Sequence, residues 1–119
     1  MAFDHQDTER FISLMTFRRS GEGVATPVWF ALDGPQIVVG TFEDSGKAKR
    51  LRHTKRVEVA PCNFRGLVRG PYVAGVASFL EPTEAILASA ALSDKYGWQW
   101  DMFARKVDVF ISVVPAVGS

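Results

Sequence analysis

A mainly β fold, a small barrel of six mostly antiparallel strands with short helices, is the architecture that three features of this sequence predict. Short alternating apolar runs are separated by hairpin-type turns, at Ser20-Gly21-Glu22-Gly23 and again at Asp33-Gly34. One span alone, from Pro82 to Gly97, has the length and spacing of a substantial helix. The segments rich in small residues, above all 68–80, suit strands whose backbones approach closely. A chain of 119 residues matches one domain, 1–119, with a single modest core.

Taken in order, residues 3–12 read as a short helix capped by Asp4 or Asp7, with Phe11 and Ile12 docked on the core. Leu14 to Arg19 alternates as a strand and ends at the Ser20–Gly23 turn. Val24 to Leu32 is expected to be the second strand and Gln36 to Phe42 the third, joined through Asp33-Gly34 into a meander. Asp44-Ser45-Gly46 is a turn that can cap a short helix whose buried side holds Ala48 and Leu51. Val57 to Cys62 is a fourth strand, Asn63–Gly66 a turn, and 68–80 contains a fifth strand. Pro82 suits a first helical position and Gly97 a C-terminal stop, with Ile86, Leu87, Ala90 and Ala91 at helical spacing between them. Trp98 to Arg105 is a second short helix, and Val107 to Val114 the last strand.

Net charge is +1, so bulk electrostatics do not point to a polyanion partner, but the distribution is uneven. Residues 47–56 hold six of the fourteen Lys and Arg and none of the thirteen acids, which leaves eight bases against thirteen acids, −5, elsewhere. A local basic patch on a mildly acidic body suits a small anionic ligand better than a nucleic acid, and the patch lacks the interleaved aromatics that single-strand stacking requires. An apolar strand, a small-residue turn and a basic helix start can present amides and ammonium groups to a phosphate; the same stretch would also serve as a solvated surface helix. The single cysteine, Cys62, excludes an internal disulfide, fits a reducing, cytoplasmic setting, and reads as a small buried hydrophobe. No run approaches a membrane span, and the polar, acid-bearing start is unlike a secretory signal.

His5 and His53 lack ligand spacing, so no metal site is expected, and no serine–histidine–acid set, Walker loop or GxGxxG can be assembled. With catalytic residues thus unknown, any reactive atoms would come from a cofactor. Pro27 cannot donate a ladder hydrogen bond and marks an edge, a bulge or an approach; Trp29 beyond it could flank a planar ring, or serve the core or an interface.

Taken together, TPVWF at 26–30, DG at 33–34, GTFEDSGKAKRL at 40–51, RVEVAPC at 56–62 and RG at 65–66 resemble the pyridoxamine-phosphate-oxidase-like split β-barrel family, in particular its branch of probable coenzyme F420-dependent oxidoreductases. The resemblance runs over roughly residues 10 to 114 and implies a homodimer of six-stranded antiparallel split barrels of the FMN-binding type, an oxidoreductase passing hydride to a small-molecule substrate or, alternatively, a non-catalytic flavin- or deazaflavin-binding protein of the same barrel. It also implies F420, or alternatively FMN, in grooves between the subunits. The phosphate would be held by Ser45, Gly46 and Lys47 with help from Lys49 and Arg50, the ring would lie along Thr26, Pro27, Val28 and Trp29, and Thr41 would contact the cofactor. The lactyl-oligoglutamate tail of F420 gives the surplus cations Lys49, Arg50, Arg52 and Lys55 a use that tail-less FMN does not.

Overall fold

In the computed structural model, which describes residues 10–116, seven strands form one antiparallel sheet that curls into a half-barrel. They are β1 (Phe11–Phe17), β2 (Gly23–Val28), β3 (Ala31–Asp33), β4 (Gln36–Thr41), β5 (Arg56–Cys62), β6 (Val73–Phe79) and β7 (Val109–Pro115), in the spatial order β2-β1-β5-β6-β7-β4-β3. Three helices accompany them: α1 (Gly46–Leu51), α2 (Pro82–Tyr96) and α3 (Trp98–Phe103), the last running into a 3-10 turn at Ala104–Lys106. The mainly β split-barrel expectation holds, with one strand more than expected because the run 24–32 is divided.

That division governs the topology. β2 pairs with β1 and β3 pairs with β4, so the two halves of one apolar run lie on opposite edges of the sheet. The expected meander therefore does not form. Pro27 has no N–H to offer, and the chain leaves the ladder just beyond it, at Trp29 and Phe30. The main chain of Phe30, whose side chain is fully buried, needs partners there, and it finds them on α2. The Tyr96 hydroxyl accepts from Phe30 N at 3.0 Å and lies 2.8 Å from Phe30 O and 2.7 Å from Arg10 O, either of which can accept its proton.

The first strand also starts earlier than expected. Phe11 and Ile12 belong to β1, where Phe11 faces Cys62, and Ile12 is paired between Pro61 and Val28. Arg10 is a bend ahead of the strand, and residues 3–9 of the expected N-terminal helix lie outside the described residues. At the β3–β4 hairpin Gly34 takes φ +62° ahead of Pro35, whose ring holds φ negative, the arrangement of a type II′ turn. α2 begins at Pro82 and ends at Gly97, which takes φ +67°; its start is tied by Glu84 Oε1 accepting from Glu81 N at 3.1 Å.

Two apolar clusters result. Ile12, Leu14, Phe30, Ile37, Val39, Leu51, Val57, Val59, Ile111 and Val113 fill the concave side of the sheet. Ala31, Val38, Ala88, Leu92, Tyr96 and Trp100 form a second cluster where α2 and α3 cover the β3–β4 side. The face of α2 that packs is thus Ala88, Leu92 and Tyr96, while Ile86 and Leu87, whose spacing marked an apolar face, are 69% and 66% exposed. A small residue at 88 lets the helix approach the sheet, which leaves the bulkier Ile86 and Leu87 on the outside.

Replacing Tyr96 by Phe should keep the ring packing but orphan the Phe30 N–H. A loss of about 1–3 kcal/mol in chemical denaturation is expected. Burial pushes the Tyr96 phenol up to about 12, against smaller opposing effects of its backbone partner and Arg10. The folded value lies above the unfolded one of about 10, so this contribution is complete below about pH 10 and fades as pH rises towards about 12. Stability of Tyr96→Phe should fall less steeply than wild type across that window.

Candidate functional site

α1 is short, and its start is fixed by one serine. Ser45 Oγ accepts from Ala48 N at 3.1 Å and from Thr41 Oγ1 at 3.2 Å, which ties the helix to the end of β4. Ala48 and Leu51 are fully buried, as their spacing predicts, and their burial turns Lys47 towards the end of β4 and the β2 edge.

A cavity of about 250 Å3 opens there. Pro27, Val28 and Trp29 line it from the end of β2, Thr41 from β4 and Lys47 from α1, so five of the sequence-predicted site residues meet in one place. Its walls are mostly aromatic and apolar. Trp29 stacks on Tyr96 with ring centroids 4.7 Å apart and planes 11° apart, which fixes one side of the indole. Phe103 stands 5.6 Å from Trp29 and 5.8 Å from Phe42, in tilted and edge-on arrangements. Trp29 therefore serves both the aromatic cluster and the cavity wall.

Lys47 is the cavity's one charge. Among the described residues its ammonium has no hydrogen-bond partner and no ion pair, and α1 carries no acid in its first turn. Burial, and then the nearby positive charge of Arg50, hold its pKa below the ordinary lysine value. The lining contains no carboxylate, histidine, cysteine or tyrosine, so these side chains supply neither an acid–base pair nor a ligand for an iron centre. Among the described residues no group of three or more His, Cys, Asp or Glu could hold a metal ion.

The remaining expected residues lie apart. Thr26 faces inward from the edge strand, its Oγ1 buried without a hydrogen-bond partner, and does not line the cavity. Gly46, Lys49 and Arg50 line a separate groove on the far side of α1. Arg52 donates to Glu43 O at 2.7 Å, and Lys55 donates to Leu51 O at 2.7 Å with its ammonium over the Phe79 ring. Those two cations are occupied by the fold.

Sequence reasoning missed four lining residues: Phe11, Gly40, Phe42 and Phe103. Gly40 carried the one usable signal. A Cβ there would lie 2.8 Å from Trp100 Cη2 and 2.9 Å from Val107 Cγ1, so only glycine lets α3 sit close enough to bring Phe103 to the cavity.

No protein-family model matches the chain, and no curated protein does. Solved structures do. The heme storage protein HutZ from Vibrio cholerae superposes with a TM-score of 0.77 at 13% identity, over 98% of this chain and 89% of that one. An FAD-binding protein from Mesorhizobium loti gives 0.67 at 17% identity over 92% of this chain and 83% of that one. A candidate pyridoxamine 5'-phosphate oxidase from Listeria innocua gives 0.65 at 18% identity over 89% and 83%. At such identities the likeness is one of fold: the chain has the split-barrel fold of pyridoxamine-phosphate-oxidase-like proteins.

Proposed function

We propose that the aromatic cavity takes the ring of a flavin-type cofactor with its phosphate at Lys47, and that the chain is an oxidoreductase of the coenzyme F420-dependent kind acting on a small organic acceptor. The observation that carries this reading is a partly desolvated, unpaired ammonium at the edge of a cavity walled by Trp29, Phe42 and Phe103. The apolar walls fit a planar ring and the lone cation fits a phosphate. Bound there, a flavin or deazaflavin supplies hydride chemistry. The chain's own part is to orient the ring against the aromatic wall of Trp29, Phe42 and Phe103, to keep water from the covered face, and to place the acceptor, which needs no acid–base side chain.

F420 is preferred over FMN because cations beyond Lys47 flank α1 at Lys49 and Arg50, where the acidic tail of F420 could be met. The heme reading suggested by a neighbour such as HutZ has no axial ligand among the described cavity residues. A cavity of about 250 Å3 is below the usual range for a ligand site of roughly 300–1,000 Å3. A second copy of the chain would complete it. The β2 edge, with Pro27 exposed beside Gly66 and with Phe64 and Leu67 each 65% exposed in the turn after β5, supplies an apolar face for such a homodimer.

Equilibrium titration of the apo protein with F420 and FMN tests the reading directly: F420 should bind more tightly, and binding of neither would end it. Lys47→Ala should weaken a phosphate-bearing cofactor by about 1.5–3 kcal/mol without lowering thermal stability, because the lost ammonium was itself desolvated. Riboflavin, which has no phosphate, should be insensitive to the change. The lowered Lys47 pKa sets the sign of a pH effect: cofactor affinity should fall as alkaline pH removes the proton, earlier than for an exposed lysine, and Lys47→Ala should be flat there. Light scattering at micromolar concentration should give a dimer mass, and a monomer would contradict a groove built from two chains.

A further inference from the structure

A second groove, of about 380 Å3, lies on the other side of α1 from the aromatic cavity. We infer that this groove between the β1–β2 turn and α1 binds a small oligoanion, a ligand carrying two or more carboxylates or phosphates. Arg18 and Arg19 reach it from the turn, and Lys49, Arg50 and His53 from α1 and the residues just after it. Positive charge from two distant parts of the chain is thus gathered around one concavity.

The cations are held in place by the fold. Arg50 Nε donates at 2.6 Å to Thr16 Oγ1, and Thr16 is fully buried, so the guanidinium is anchored by one edge and keeps its terminal nitrogens for another partner. Those nitrogens pass over Gly46, where a Cβ would lie 2.8 Å from Nη1. The turn that carries Arg18 and Arg19 is closed by Arg18 N donating to Glu22 O and Gly21 N donating to Arg18 O, both at 2.9 Å. Arg19 Nη2 lies 3.1 Å from His53 Nδ1; a guanidinium cannot accept, so the ring nitrogen does.

No carboxylate lines the groove itself; Glu22 stands beside Arg18, and Glu43, Asp44 and Asp108 share a neighbouring hollow with Lys49. Glu22 pairs with Arg18 at 3.2 Å, and both side chains are more than half exposed, at 71% and 55%, so the pair compensates weakly. Holding Arg18, Arg19 and Arg50 around a groove lined by no carboxylate, with Lys49 at its rim, leaves a like-charge cluster that an anion of two or more charges would relieve. Consistent with this, burial and the charge of Arg18 lower the Arg50 pKa. A nucleic acid fits less well. The groove lining has no Phe, Tyr or Trp for base stacking, its one imidazole, His53, is engaged by Arg19, and the nearby Phe17 ring is covered by Arg56 at 3.8 Å.

Two sources supply this chemistry: a free oligoanion, and the acidic tail of a cofactor whose ring lies in the aromatic cavity. The inference rests on the groove and stands whichever source is correct. Isothermal titration of the full chain with inorganic pyrophosphate and with triglutamate should show saturable binding of at least one at one site per chain. Binding should be lost near 1 M salt, where screening acts over about 3 Å. Arg18→Gln with Arg19→Gln should weaken it about tenfold, roughly 1.4 kcal/mol, with thermal midpoint and riboflavin affinity unchanged; if the pair is destabilised, each single variant should show a smaller loss of the same sign. Displacement of F420 but not of riboflavin by triglutamate assigns the groove to a cofactor tail, and binding of probe and F420 together assigns it to a free ligand. Absence of saturable binding, equal affinity in the Arg18/Arg19 variants, or tighter binding of an oligonucleotide than of either probe would overturn the inference. Failure of riboflavin to bind while pyrophosphate still does would count against the flavin-type reading alone.

Discussion

One hydroxyl group closes the break on which this split barrel depends. Where the chain passes from the β2 edge to the β3 edge of the sheet, the main chain of Phe30 leaves the ladder in a buried place, and Tyr96 Oη meets both its N–H and its C=O. An unmade hydrogen bond at such a site costs about 1–3 kcal/mol, a large share of a small domain's net stability. The same side chain stacks on Trp29, the residue that walls the cavity. Satisfying the broken backbone and positioning the aromatic wall are thus done by one residue of α2, and the site inherits its rigidity from the topology.

The charge arrangement follows from the short helix beside that break. α1 buries Ala48 and Leu51, which fixes how the surrounding cations are distributed. Lys47 faces the aromatic cavity, Lys49 and Arg50 face the groove shared with Arg18 and Arg19, and Arg52 closes on Glu43. A run of six bases that looks uniform in sequence is therefore divided by helix geometry into separate chemical settings, one walled mostly by apolar and aromatic groups, one open and cationic.

Local chemistry was readable from the chain where the partners lie close in sequence. Ser45 as a cap, Gly34 at the first central position of its hairpin, and Pro82 with Gly97 as helix ends all act within a few residues, and each stands where its type predicts. The break at Trp29-Phe30 was not readable, because the group that makes it tolerable sits 66 residues later. Pro27 marked the place without revealing that the chain would change edges. The exposed Ile86 and Leu87 misled for a related reason: α2 docks through Ala88, Leu92 and Tyr96, and apolar spacing alone does not choose between two adjacent stripes of one helix. Of the cavity, Pro27, Val28, Trp29, Thr41 and Lys47 were legible through a family resemblance, while Phe103 depends on how α3 packs over Gly40, and Phe11 and Phe42 meet it there only through the sheet's long-range pairing. Arg18 and Arg19 carried no motif, since their approach to α1 is a consequence of strand order.

The central claim is that ring and phosphate meet in this cavity, with Lys47 at the phosphate. Amide and indole resonances of the isotopically labelled protein, followed while a phosphorylated flavin or deazaflavin is added, test it most directly. The account predicts shifts concentrated at Val28, Trp29, Thr41, Phe42 and Lys47, with the Lys47 shift absent when riboflavin is used instead. Shifts gathered at the exposed face of α2 around Ile86 and Leu87, or a Lys47 response that does not depend on the phosphate, would contradict it.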